Sequence, residues 1–286
     1  MLSDMLAAQR RELILEELQR AGAVRVAALT RQLGVSDMTV RRDLDVLARR
    51  GLLQKVHGGA TLAPSSSSEE PGFEAKWLHR QREKEAIART AASLVGPGDA
   101  VGLSAGTTAW TLAHELRETP DLTVVTNSIQ VAEVLYSGTA RQTVVLAGGV
   151  RTPSDALVGP VTISALSQLH LDVVFLGVHG MDPDRGFTTP NLMEADVDRA
   201  FVDAAQRLVV IADHTKWGVV GISSIAPLAR ADVLVTDVGL PRPAVEVLEG
   251  RIASVLQVGD GPTGLDGPDG SYGSDGLDGS DKERNP

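Results

Sequence analysis

The chain has 286 residues, 43% of them apolar and 3% aromatic, and it contains no cysteine. That length holds two modest domains, each able to bury a core, and the missing cysteine excludes disulfides and thiolate metal sites. The formal net charge of −10 argues against a polyanion partner for the chain as a whole, but its distribution is uneven: residues 1–60 carry ten Lys and Arg against seven Asp and Glu, and the remainder is net negative. Phosphate binding follows the local field rather than the total. No apolar run reaches the roughly 18–20 residues that span a bilayer, and the opening "MLSDMLAAQRREL" mixes charge into its apolar residues, so a cytoplasmic protein is expected.

Residues 5–20 predict a first helix with Ile14, Leu15 and Leu18 toward a core, and "VRVAALTRQLGV" predicts a short strand and a second helix stopped by Gly34. Ser36 suits the N-cap of a third helix running to about Arg50, with Gly51 just past its end. A 100° step per residue puts Val40, Leu44 and Leu47 on the buried stripe. Met38, Arg42, Asp45 and Arg49 fall opposite, with Thr39 and Arg41 on the flanks. A helix reads base edges in the major groove with its first two turns. Asp43, close to the buried side, is placed to orient an arginine. "LLQKVHGGATL" predicts a two-stranded wing turning at Gly58-Gly59, with Lys55 and His57 near its tip.

Arg41 and Arg42 alone would equally suit a solvated face. The short-helix, turn and capped-helix spacing, the positive charge and the hairpin together favour DNA. The stretch "LTRQLGVSDMTVRRDLDVLARRGLLQKVHGGA" resembles the DeoR-type winged helix-turn-helix, from its Ser-x-x-Thr-Val-Arg-Arg-Asp-Leu core to a closing His-Gly-Gly-Ala. The resemblance covers residues 9–60 and implies that Ser36, Thr39, Arg41 and Arg42 touch DNA. With Met38, Lys55 and His57 these form the expected DNA-binding set.

"APSSSSEEPG" reads as a linker, and the Gly-, Asp- and Ser-rich end of the chain cannot bury enough surface to fold. The expected organisation is a DNA-binding domain over 1–62, a linker over 63–73, an α/β domain over 74–258 and a disordered acidic tail over 259–286. In the third of these, β-branched runs at 100–104, 122–126, 143–148, 172–178, 207–213, 232–237 and 252–258 alternate with helical spacing, for example at 107–118, 128–137 and 194–206. Such alternation predicts a mainly parallel, Rossmann-like sheet covered on both faces, with ligands bound beyond the carboxyl ends of its strands.

"GLSAG" (102–106) after the first of these strands fits the nucleophile elbow of an α/β-hydrolase, with Ser104 at the turn and His214 and several aspartates following. A hydrolase elbow, however, lies mid-sheet after several strands, and the only preceding "HGG" belongs to the wing. The adjoining "AGTT" offers a different chemistry: Gly106 permits close backbone approach, and Thr107 and Thr108 place hydroxyls and backbone N–H groups at a helix start, a cradle for phosphate. Thr107 capping its own helix is the plainer alternative. Asn127 follows the second strand, Gly148-Gly149 the third, and Lys216 the fifth; Glu194 opens a helix. Together they suggest one site for a small polyhydroxylated anion.

The pieces "EKEAIARTAASLV", "AGTT", "LTVVTNS", "LAGG", "ALVGP", "GVHGMDPDRGFTTPNLMEADV" and "ADHTKWG" resemble the DeoR-type effector domain, which is similar in fold to ribose-5-phosphate isomerase. The resemblance implies a phosphorylated sugar or sugar derivative as ligand, with Gly106, Thr107, Thr108 and Lys216 at its phosphate and Asn127 and Glu194 on the pocket wall. It often has aspartate where Ser104 stands, so Ser104 bears on which hydroxyls are read. The expectation is a repressor of a sugar catabolism operon, needing no cofactor or metal. It would bind double-stranded operator DNA as a homo-oligomer, since one recognition helix has too little surface for tight specific binding. A phosphosugar isomerase with Glu194 as base, and a constitutive DNA-binding protein with a vestigial pocket, are the alternatives.

Overall fold

The structure, a computed structural model, describes residues 6–21, 23–49, 52–56, 58–61, 73–77 and 79–259. The expected linker up to residue 72, the tail beyond 259, and His57 lie outside the described residues.

The N-terminal elements are α1 (Ala7–Ala21), β1 (Ala23–Arg25), α2 (Val26–Leu33), α3 (Asp37–Arg49), β2 (Gln54–Val56) and β3 (Gly59–Thr61). Ile14, Leu15 and Leu18 of α1 pack with Leu29 and Leu33 of α2 and with Val40, Leu44 and Leu47 of α3, all buried. Gly34 ends α2 in the left-handed conformation at φ 65°, and the N–H of Thr39 donates to the Ser36 hydroxyl at 3.2 Å to cap α3. Asp43 is 2% exposed and accepts from Arg10 Nε at 2.6 Å and Arg11 Nε at 3.0 Å, tying α3 to α1. The wing has one strand more than the hairpin pattern predicts. β1, the short strand expected ahead of α2, is that extra strand: it pairs antiparallel with β3, giving a sheet in the order β1-β3-β2.

The chain continues through α4 (Phe73–Trp77), α5 (Gln81–Ala92), β4 (Ala100–Leu103), α6 (Thr107–Leu116), β5 (Thr123–Thr126), α7 (Ile129–Tyr136) and β6 (Thr143–Leu146). Then come β7 (Val150–Arg151), β8 (Leu157–Val158), α8 (Pro160–Leu166), β9 (Leu171–Gly177), β10 (Gly180–Asp182), β11 (Gly186–Thr189) and α9 (Leu192–Ala204). The last are β12 (Ala205–Ile211), β13 (Ser223–Ala226), β14 (Val233–Asp237), α10 (Arg242–Glu249) and β15 (Ser254–Val258). Seven strands form one parallel sheet in the order β15-β14-β12-β9-β4-β5-β6. Successive side chains of a strand alternate faces. On β9, Val173 and Phe175 join the core beneath α5, α6 and α7, while Val174 and Leu176 join the one beneath α8, α9 and α10. Both faces of the central strands are therefore dry, which is why β9 and β12 read as unbroken apolar runs, whereas the edge strand β6 is largely exposed. Among the described residues no helix is long and apolar enough to cross a membrane.

Candidate functional site

The strand order reverses between β4 and β9. From β4 the sheet grows outward through β5 and β6; from β9 it grows the other way through β12, β14 and β15. Loops leaving such a pair diverge and open a crevice at the carboxyl ends. A cavity of about 590 Å³ lies there, walled by Ala105 to Thr108 after β4 and by Gly177, Val178 and His179 after β9.

Gly106 precedes α6 with φ 144° and ψ 160°, and no side chain caps the helix. The first N–H groups of α6 thus lack a side-chain acceptor, and the helix adds partial positive charge at that end. Basic groups gather on the same cavity: Lys216 in the turn after β12, Lys84 on α5, Lys76 at the end of α4, and His79 and Arg80 between α4 and α5. The Lys84 ammonium donates to the backbone carbonyls of Lys76 and His79. Burial pulls its pKa down to about 8, Lys216 adding to the effect and Asp213 opposing it. Burial, then the charges of Lys84 and Lys216, take His79 down to about 4, so its imidazole is neutral at pH 7. Arg80 holds the left-handed φ of 57°, a strained conformation for a side-chain-bearing residue. Its Nη1 reaches Glu83 at 3.1 Å, while its Nε is buried with no hydrogen-bond partner. Positive charge held this far from water is stabilised by an incoming anion.

The carboxylates behave differently from one another. Burial alone would raise the Asp213 carboxyl, but Lys216, the Thr215 hydroxyl and Lys84 outweigh it and hold the group below its usual range. His214 follows directly on the cavity wall, its Nδ1 2.6 Å from Asp237 Oδ2 and its backbone N–H donating to Asp237 Oδ1 at 2.7 Å. On α9, Glu194 and Asp198 also bound the cavity. Glu194 Oε1 accepts from the Thr152 hydroxyl at 2.8 Å and from the Ser154 hydroxyl. The Asp198 carboxyl stays well above the ordinary carboxylate range because of burial first and the Glu194 charge second.

Of the residues expected at an effector, Gly106, Thr107, Thr108, Asn127, Glu194 and Lys216 come together on this cavity, whereas Ser104, Gly148 and Gly149 are not among its walls. Ser104 is fully buried behind them, its hydroxyl accepting from the Gly177 N–H at 3.0 Å to join β4 to β9. That arrangement offers nothing for a nucleophilic serine. Gly149 packs so tightly that a Cβ there would sit 2.3 Å from Thr162 Oγ1, and the Thr162 hydroxyl donates to the Gly148 carbonyl; this pair closes a turn. Asn127 braces two loops, accepting from the Ala105 N–H at 2.9 Å and donating to the Leu157 carbonyl at 3.1 Å. The sequence reading missed Lys84, His79, Arg80 and Asp198. Lys84 and Asp198 stand in helices where a charge normally reads as solvated surface, although Asp198 lies at i+4 from Glu194.

On α3, Met38 is 74% exposed, and Ser36, Arg41 and Arg42 are also exposed, with Thr39 half-buried. The Ser36 and Thr39 hydroxyls lie 2.8 Å apart and bond to each other. Arg41 pairs with Asp37 one turn back at 3.0 Å, and Lys55 of β2 pairs with Asp45. Arg42 makes none of the described ion pairs.

Residues 79–238 match the DeoR C-terminal sensor domain family and residues 10–66 the DeoR-like helix-turn-helix domain family. A putative aga operon transcriptional repressor of Escherichia coli O157:H7 is 32% identical over 253 residues, spanning 88% of this chain and 94% of that protein. The glycerol-3-phosphate regulon repressor of Escherichia coli strain K12 is 31% identical over 240 residues, 84% of this chain and 94% of the relative. Among solved structures, ribose 5-phosphate isomerase A of Methanocaldococcus jannaschii aligns over 48% of this chain and 54% of its own at 17% identity, with a TM-score of 0.36.

Proposed function

The chain belongs to the DeoR family of transcription regulators, and from that premise we propose that it represses a sugar catabolism operon and is released from operator DNA by a phosphorylated sugar. The observation that carries this reading is the cavity at the β4–β9 switch point, where the open start of α6 meets Lys216, Lys84 and the buried Nε of Arg80. An anion-binding cavity of that size, joined in one chain to a helix that presents Met38 and Arg42 outward, supports a sensor coupled to a DNA reader. The chain is a regulator and not an enzyme. An isomerase has only the place of Glu194 on the cavity wall in its favour. Ser36, Met38, Thr39, Arg41, Arg42, Lys55 and His57 remain the proposed DNA contacts. The working form, in the cytoplasm, is a homo-oligomer whose paired readers span two half-sites.

The effector moves the equilibrium only as far as its affinities for the DNA-competent and DNA-incompetent arrangements differ. Fluorescence anisotropy of the purified protein on its own upstream DNA, at fixed salt, tests this directly. Tight binding that one compound from a panel of sugar phosphates weakens is the expected result. Tight binding indifferent to the whole panel would refute the phosphosugar sensor, and no binding at all would refute the repressor.

A further inference from the structure

Two carboxyl groups bound a cavity whose other polar walls suit an anion. Glu194 and Asp198 stand at i and i+4 on α9, so both project from one face of the helix, and both lie on the cavity wall. Lys84, Lys216, His79 and Asp213 act on one another, and Asp198 is influenced first by Glu194, then by Arg199 and Lys76; Lys76, which also acts on Lys84, is a cation common to both sets. The Glu194 carboxylate is oriented by the Thr152 and Ser154 hydroxyls. Asp198 is half-buried on the cavity wall, and no hydrogen bond among the described residues reaches its carboxyl. Arg199, next in sequence, turns away to Asp196 at 2.6 Å and to the Ser224 carbonyl. A carboxyl partly withdrawn from water beside a second carboxylate is costly to ionise, and the cost falls if the ligand itself brings a positive charge.

We propose that the effector is a zwitterion, an amino-sugar phosphate whose phosphate sits at the start of α6 and whose protonated amine sits against Glu194 and Asp198. This rests on the phosphosugar reading above and narrows it. A neutral sugar phosphate satisfies only the α6 side. An ammonium brings a positive charge and three donors to two acidic groups held one helical turn apart. It also relieves the mutual repulsion that, with burial, holds the Asp198 carboxyl above its ordinary range. The wall thereby selects for the amine and rejects an analogue that puts a hydroxyl in the same place.

The test is isothermal titration of the full-length protein with matched ligands: glucosamine 6-phosphate against glucose 6-phosphate, galactosamine 6-phosphate against galactose 6-phosphate, and the unphosphorylated amino sugars. In at least one pair the amino compound is expected to bind about tenfold or more tightly than its hydroxyl partner. In Asp198→Asn that ratio is expected to fall to within about threefold of unity, as for an exposed charge contact; Glu194→Gln gives a second reading of the same ratio should the first variant fold poorly. Equal binding within both pairs would overturn the amine subsite while leaving the phosphosugar reading standing. Amino sugars that bind as tightly without phosphate would do the reverse. Absence of binding by any of these compounds would defeat both.

Discussion

Arg42 on α3 and Lys84 on α5 are both cations proposed to meet an anion, yet their surroundings are opposites. Arg42 is exposed, makes none of the described ion pairs, and carries a charge that no ordinary pH removes. Lys84 is 5% exposed, its ammonium spent on two backbone carbonyls, and its pKa is pulled down to about 8. A DNA reader needs charge already waiting in solvent, where long-range attraction to phosphate speeds encounter. A small-molecule sensor needs charge that is costly until the ligand arrives, because only then does binding favour one arrangement over another. The same residue chemistry thus does different work according to its depth.

The sharpest way to break this comparison is to remove a charge that serves only structure. Asp43 is even more buried than Lys84, but it holds α3 to α1 through Arg10 and Arg11 and lies in the other domain from the cavity. Asp43→Ala leaves the two guanidinium groups without their acceptor. It is expected to destabilise the winged helix by about 3–5 kcal/mol and to abolish operator binding while sugar-phosphate binding survives. Chemical denaturation followed by circular dichroism reads the loss; an unchanged midpoint would mean that the pair contributes nothing.

Lys216→Ala and Arg42→Ala separate the two functions. Lys216→Ala is expected to weaken sugar-phosphate binding by about 1.5–3 kcal/mol, the range for a hydrogen bond to a charged group, with operator affinity in the absence of effector unaltered. Arg42→Ala is expected to cost about 1–3 kcal/mol of operator binding and to leave effector affinity alone. Calorimetry with the sugar phosphate and anisotropy with the operator, applied to both variants, check the crossing pattern; a variant that weakens both activities equally would contradict the division.

The smallest effect is on pH. Lys84 is depressed from 10.5 to about 8, so its charged form is disfavoured in the folded chain. An anion beside it favours that charged form, so effector affinity is expected to fall as pH rises through about 8 and to flatten in Lys84→Met. Folding stability moves the opposite way, rising between about 8 and 10.5, where the unfolded chain still binds the proton and the folded chain does not. Operator affinity without effector, which rests on arginine, is expected to stay level from pH 7 to 9. Effector affinity constant over that interval would place Lys84 outside the anion's reach.

The parallel sheet was legible because strands dry on both faces are written as plain apolar runs: "DVVFLGV" and "RLVVIAD" correspond to β9 and β12. The recognition helix was legible because Val40, Leu44 and Leu47 keep helical period while Met38 and Arg42 break it outward. The antiparallel strands β10, β11 and β13 were not legible. They have only three or four residues each, and although β10 and β11 form a local hairpin, Phe187 reaching Ala226 pairs β11 with β13 across a separation that leaves no local pattern to read. The site was legible only where it follows a strand. Thr107, Asn127 and Lys216 could be placed by that rule, whereas Lys84 and Asp198 come to the cavity from helix faces, and only the packing of α5 and α9 on the sheet brings them there. Ser104, one residue too early in its loop, falls behind the wall instead of on it.

The coupling between the two regions is tested most directly from the sensor's side. Effector affinity is measured by titration calorimetry on the free protein and on the protein saturated with its own operator DNA. Linkage requires that operator DNA weaken effector binding by the same factor by which the effector weakens operator binding, and an equal reciprocal loss is the expected result. Identical effector affinity with and without bound DNA would contradict the coupling and leave a reader and a pocket that share only a chain.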